Sequence, residues 1–295
     1  MSKPIKYTTK IPVFLHIPKN AGTYVLGRTM TLFRYYGIAR GWNDKEGWNY
    51  NLRMIVLQHE GIQIATVCIY DPTGALNINT NFTKHEGDEY SNIVEVYPFF
   101  EELRNRELFI FSIIVEDYGV KFINTGLCEH LCSYNKKTPL YYTILRDPYD
   151  RAQSIYNYIK SSNSSHEPTH DLIKSNSLEE YFKSNQLEDS WLIRRLTGIR
   201  DEEEMNEKHF DKSCEILDKF KISDITKTDL LIDNVFTECF GINRDCGLSK
   251  YEAHNKNANL KDKMHFNELQ EETKAIFLRR TTPDRKIYER YCRNN

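Results

Sequence analysis

The chain has 295 residues, with 40 Lys and Arg against 42 Asp and Glu and a formal charge of −2. That length sets an expectation of one or two domains with a sizeable buried core, and 40% hydrophobic with 28% charged residues excludes a disordered chain. Near-neutrality excludes a chain that coats nucleic acid by bulk electrostatics, while leaving room for a local basic pocket. No apolar run approaches the roughly 20 residues of a membrane span, and residues 1–10 contain no apolar signal core. The seven cysteines form no CxxC pair. Cys128 and Cys132 are four apart, Cys239 and Cys246 seven apart, and neither spacing repeats as a zinc framework, so free buried thiols and no metal site are expected. Without a signal core or a disulfide pattern, the expected setting is the reducing cytoplasm, and a bacterial or viral origin would fit.

In chain order, Ile11–Ile17 (IPVFLHI) reads as a buried strand, followed by PKNAGT and a helix from about Thr23 to Tyr36. Leu26, Met30 and Phe33 fall at i, i+4, i+7 on that helix, and Gly37 is its stop. Residues 41–97 hold short β-like runs, Arg53–Leu57 and Ile62–Tyr70, between Gly, Asn, Asp and Pro turns. An insertion at about 41–107, carrying its own small sheet, is expected there. Pro98–Glu107 looks helical, Leu108–Val115 (LFIFSIIV) reads as a buried strand, and Gly126–Tyr134 as a helix. Tyr141–Leu145 (YYTIL) is a further strand, leading through Arg146-Asp147-Pro148 into a helix to about Lys160. A Ser/Asn/His loop follows at 161–170, and from about 177 onward the chain is mostly helical. Strands alternating with helices early and helices late predict one α/β domain with a central parallel sheet flanked by helices and a helical C-terminal part.

The segment His16-Ile17-Pro18-Lys19-Asn20-Ala21-Gly22-Thr23 joins the first strand to the first helix. A parallel sheet places anionic ligands there, outside the carboxyl end of a strand. A helix N-terminus supplies unpaired N–H groups and a positive dipole end. Ala21 and Gly22 permit close backbone approach, Thr23 supplies a hydroxyl, and Lys19 a full positive charge. These parts make a phosphate or sulfate cradle. The nucleotide P-loop GxxxxGK[ST] is absent: the Lys precedes the Gly, and no Ser or Thr directly follows it to hold Mg²⁺. The competing reading is a Pro/Gly turn with an incidental Lys.

A second constellation follows the strand at 141–145. Asp147 suits a helix cap and Pro148 the first helical position. Arg151, Ser154 and Tyr158 then share one face, while Ala152, Ile155 and Ile159 fit the core. A strand-end Arg146 and a helix-face Ser154 can converge on one phosphate. The alternative is a salt bridge from Arg146 to Asp147 or Asp150.

Together, FLHIPKNAGT (Phe14–Thr23) and YYTILRDPYDRAQSIYNY (Tyr141–Tyr158) resemble the 5′-phosphosulfate and 3′-phosphate segments of the sulfotransferase superfamily, specifically its carbohydrate (Golgi-type) branch. Weaker echoes are DSWLIRRLTG (Asp189–Gly198), His254-Asn255-Lys256 and DRKIYERY (Asp284–Tyr291). The resemblance runs from about 11 to 292 and is poor across 41–115. It implies a P-loop-like three-layer fold and the donor 3′-phosphoadenosine 5′-phosphosulfate (PAPS), with 3′,5′-adenosine bisphosphate as product. It also implies metal-independent in-line transfer of a sulfuryl group to a hydroxyl of a glycan or other small hydroxylated acceptor. Carried over by position, Lys19 binds the phosphosulfate and stabilises the leaving oxygen. Asn20, Ala21, Gly22, Thr23 and Tyr24 cradle the 5′-phosphate. Arg146 and Ser154 grip the 3′-phosphate, with Arg151 and Lys256 as further candidates.

The acceptor hydroxyl needs a general base within hydrogen-bond reach. Many relatives of this branch carry Gly-His after the strand preceding the second motif, whereas this chain has Val115-Glu116-Asp117-Tyr118. Glu116 therefore becomes the candidate base, with His130 and Asp117 as rivals and His16 as a residue that orients the loop. The alternatives are a solvated strand-end carboxylate and a packed helix histidine. Trp42, Trp48 and Tyr50 are candidates to line a sugar cleft. Two other functional classes stay open: a P-loop-type small-molecule kinase, and a glycan-binding relative that has lost its base.

Overall fold

The computed structural model describes residues 8–22, 24–25, 27–29, 39–49, 52–59, 62–71, 77–78, 93–94, 101, 103–117, 120–161, 170–184, 187, 189–199, 203–241 and 264–293. The chain divides into two compact units, Met1–Ile144 with Ile216–Ala253, and Leu145–Glu215 with His254–Asn295.

The first unit is built on strands β1 (Lys10–His16), β2 (Ala39–Asn49), β3 (Leu52–His59), β4 (Ile62–Asp71), β5 (Asn77–Ile78), β6 (Ile93–Val94), β7 (Phe109–Asp117), β8 (Thr138–Leu145) and β9 (Lys221–Asp224). Seven of them form one sheet in the order β2-β3-β4-β7-β1-β8-β9, and β5 pairs with β6 apart from it. The five strands from β4 to β9 run parallel. Counted in chain order, those five lie second, third, first, fourth, fifth, so the winding reverses beside β1. Ile11–Leu15 are buried without alternation, as a parallel strand covered on both faces requires.

Helices cover both faces of this sheet. On one face, α1 (helical residues within 22–29) and α10 (Thr228–Phe240) pack on Phe14, Tyr142 and Ile144 through Val25, Leu231, Val235 and Phe236. On the other, Tyr141 donates to Glu129 at 2.7 Å. Strand alternation sends Tyr141 and Tyr142 to opposite sides, so α4 (Leu127–Tyr134), which carries Glu129, covers the second face. The short helices α2 (101–105) and α3 (Val120–Asn124) flank β7 in the chain.

The sheet differs from expectation in two places. Strands β3 and β4 lie where alternation predicts them, but they extend the central sheet instead of forming a separate one. Ile64–Val67 and Ile69 are buried, and a strand buried on both faces completes its hydrogen bonds by parallel pairing with β7. Strand β9 falls in a stretch predicted as helical, because four half-buried residues, KISD, carry neither alternation nor an apolar run.

The second unit is helical: α5 (Pro148–Ser161), α6 (His170–Ser175), α7 (Leu178–Lys183), α8 (Trp191–Thr197), most of α9 (Glu207–Leu217) and α11 (Glu271–Tyr288). Its core is aromatic, with Tyr149, Phe182 and Phe277 packed ring to ring. Among the described residues, no helix is long and apolar enough to cross a membrane.

Candidate functional site

Strand β1 ends at His16, and the backbone turns at once. Asn20 N–H donates to the Ile17 carbonyl at 3.1 Å, closing a four-residue turn with Pro18 and Lys19 in the middle. Lys19 sits at φ 66. Proline at the second position and positive φ at the third are the signature of a type II turn, whose third position favours Gly or Asn. Ala21 is also left-handed, at φ 61, and its carbonyl accepts the Val25 N–H at 3.0 Å, opening α1. Each such residue costs roughly 1–3 kcal/mol and persists only where its surroundings over-determine it. Two non-glycine residues bent this way stand on either side of Asn20, ahead of a helix N-terminus, and anion-binding concavities are built from successive backbone N–H groups in such turns.

Three contacts over-determine the loop. His16 stands level with Glu116 in the β1–β7 register, and its Nδ1 lies 3.2 Å from Glu116 Oε1. The other edge of the imidazole lies against Gly22, where an added Cβ would be 1.9 Å from His16 Nε2. Asn20, 3% exposed, donates from Nδ2 to the Ile144 carbonyl at 3.0 Å and so ties the loop to β8. Asn20 Oδ1 is buried and has no hydrogen-bond partner among the described residues.

Behind the loop, α1 is locked to α10. Tyr24 OH donates to Asp229 at 2.6 Å. Arg28, 4% exposed, reaches Asp229 with Nε at 3.3 Å and Asp233 with Nη2 at 2.8 Å. Burial and the Asp229 hydrogen bond and charge push the Tyr24 phenol up to about 12. In the sequence, Tyr24 is a candidate only through its backbone, and Arg28 carries no signal of its own. The partners lie 205 residues away, and no local pattern announces them.

The candidate bases separate. Glu116 and Asp117 end β7 at the carboxyl edge, level with Tyr70 and Asp71 of β4. His130 lies on α4, across the sheet from α1. Helix α4 runs back along β7: Asn135, just past its end, accepts from Ile110 N–H at 2.8 Å, at the start of that strand. Six residues of strand at ~3.3 Å and five of helix at ~1.5 Å leave His130 about 12 Å short of the level of Glu116. The structure therefore does not bring His130 to the Lys19 loop. Burial holds its imidazole below the usual value.

In the second unit, Asp147 caps α5 as its sequence predicts. Its carboxylate accepts the Tyr149 N–H at 2.9 Å, its carbonyl accepts the Arg151 N–H at 2.9 Å, and Pro148 is the first helical residue. Arg146 directly precedes this cap and is half-buried. Burial lowers its guanidinium from the usual value, opposed by the Asp150 and Asp147 carboxylates. Ser154 is half-buried on α5. Arg151 is nearly buried, with Cζ 3.3 Å from the centroid of the Trp191 ring, and Arg195 lies over the same ring at 5.2 Å.

Thr23, Tyr50, His254, Asn255 and Lys256 lie outside the described residues, as do the side chains of Trp42, Trp48 and Asp117. Compared with known protein families, curated proteins and solved structures, the chain has no match in any of the three.

Proposed function

We propose that this chain is a PAPS-dependent sulfotransferase acting on a hydroxyl of a glycan or other small hydroxylated acceptor. The observation that carries the reading is the strained loop after β1, which holds Lys19 in a left-handed turn at the point where the sheet's winding reverses. Backbone strain of this kind persists only where the surroundings hold it, and here it sets a cationic side chain at the carboxyl end of β1. The reading is further supported by the order of the two sequence motifs, each following a buried parallel strand, and by the capped helix after Arg146.

PAPS supplies an already activated sulfuryl group. The chain's task is then to position reactants and neutralise charge, as in phosphoryl transfer. The backbone N–H groups that follow Asn20, with the Thr23 hydroxyl, bind the 5′-phosphate. The Lys19 ammonium neutralises the oxygen that departs as the acceptor oxygen bonds to sulfur and the bridging S–O bond breaks. The acceptor's proton passes to a base at the carboxyl edge of the sheet, the role we assign to Asp117 at the end of β7, level with Asp71 of β4. Arg146 and Ser154 bind the 3′-phosphate, with Arg151 and Lys256 as further candidates. No Ser or Thr follows Lys19 to hold Mg²⁺, which sets the loop apart from that of a P-loop kinase.

Calorimetry tests the reading. Tight binding of 3′,5′-adenosine bisphosphate without Mg²⁺, and none of ATP, is expected; the reverse preference would make the chain a kinase. Transfer of labelled sulfate to any acceptor pool separates the enzyme from a glycan-binding relative.

A further inference from the structure

We infer that Glu116 is a positioning residue that acts through His16, and that the His16–Glu116 pair sets the shape of the Lys19–Gly22 loop instead of supplying its base. This rests on the anion-binding reading of that loop. His16 and Glu116 are level neighbours on β1 and β7, joined by the 3.2 Å contact from Nδ1 to Oε1. A carboxylate at Nδ1 fixes the tautomer and plane of an imidazole. The plane so chosen puts Nε2 and Cδ2 into the space that a side chain at residue 22 would fill, 1.9 and 2.0 Å from a Cβ there. Phe14 stacks along the ring at 6.0 Å between centroids, with 23° between planes. The imidazole is thus bounded by a carboxylate, a phenyl ring and the loop backbone.

That arrangement suits support better than proton abstraction. A base must present a free lone pair to the acceptor hydroxyl. Here Glu116 commits its Oε1 to Nδ1, and the far ring nitrogen abuts Gly22. Meanwhile the loop holds two left-handed non-glycine residues, which persist only under contact from neighbours. The ring beneath Gly22 provides such a contact, and Glu116 holds the ring.

The two roles predict opposite behaviour for Glu116→Gln. A glutamine oxygen still accepts from Nδ1–H, so a positioning residue survives the change, whereas a base does not. Glu116→Gln, Glu116→Ala and His16→Ala are compared at equal helical circular dichroism. The first readout is the Gly22 amide resonance; the others are affinity for 3′,5′-adenosine bisphosphate and sulfuryl transfer. Expected is an unmoved Gly22 resonance and near-wild-type affinity and transfer in Glu116→Gln. A displaced resonance and a loss of about tenfold or more in affinity is expected in both alanine variants. Loss of about a hundredfold or more in transfer by Glu116→Gln, at unchanged affinity, would make Glu116 the base and overturn the inference. An unmoved Gly22 resonance in the alanine variants overturns it equally. If the wild type binds no nucleotide, the reading of the loop fails, and the Gly22 resonance still decides whether Glu116 and His16 shape it.

Discussion

The imidazole of His16 stands where a side chain on residue 22 would have to be, with Nε2 only 1.9 Å from the Cβ that Gly22 lacks. Gly22→Ala must therefore move the ring and break its contact with Glu116. Overpacking of this kind costs about 1–3 kcal/mol, and urea unfolding of the variant should show it. Removing the ring removes the obstacle. In a His16→Ala background the same change should be neutral or favourable, because alanine outperforms glycine in a helix by roughly 0.5–1 kcal/mol. A coupling of about 1 kcal/mol or more between the two substitutions is expected. Strict additivity would show that the ring is not what demands glycine.

Lys19 pairs backbone strain with the charge assigned to the donor. At φ 66, glycine relaxes the turn and alanine does not. Lys19→Gly should therefore be about 1 kcal/mol more stable than Lys19→Ala in denaturant unfolding. Both should lose sulfuryl transfer by orders of magnitude, since one preorganised cationic or hydrogen-bond donor at a developing oxyanion contributes about 3–4 kcal/mol. Equal stability of the two variants would mean that the turn carries no strain. Wild-type-like turnover in either would remove Lys19 from the mechanism.

How much of this was legible depends on how local each cause is. Strands β1 and β8 announce themselves as unbroken apolar runs, and Asp147-Pro148 announces the start of α5, because these signals lie within a few residues of their effects. The turn after β1 was legible from Pro18, Gly22 and the strand before them, but positive φ at Lys19 was not, since lysine has no preference for that region. The His16–Glu116 contact depends on parallel pairing across 100 residues, and only the assembled sheet sets its register. Arg28 reads as an ordinary helix charge until α10 buries it. Within 41–97, β5 and β6 pair apart from the central sheet, whereas β4 joins that sheet for the same non-local reason: it has the composition of a central strand, and its partner β7 lies beyond the insertion.

The lock between α1 and α10 makes an alkaline prediction. The Tyr24 phenol is pushed up to about 12 from its ordinary 10.0. The folded protein then holds a proton that the unfolded chain has released, so the stability Tyr24 contributes is present below pH 10 and is lost as pH rises toward about 12. Tyr149, also raised to about 12, chiefly by burial, shares this window. Denaturant unfolding followed from pH 9 to about 12 should fall less steeply for Tyr24→Phe than for the wild type. Parallel slopes would show that the phenol titrates alike in both states.

Arg151 has two possible uses, and its stack on Trp191 distinguishes them. A guanidinium 3.3 Å from a ring centroid gains both dispersion and charge–quadrupole attraction. Lysine keeps the charge but cannot stack as a plane. Arg151→Lys should accordingly lower stability by about 1–2 kcal/mol. Trp191→Leu should lower it as well, and the double variant should be less affected than the sum, with a coupling of about 0.5–2 kcal/mol from a double-mutant cycle. If Arg151 also grips the 3′-phosphate, Arg151→Lys weakens 3′,5′-adenosine bisphosphate more than it weakens adenosine 5′-monophosphate, which lacks that group. Equal loss for the two nucleotides, with the stability coupling intact, assigns Arg151 to the helical core alone and leaves the 3′-phosphate to Arg146 and Ser154.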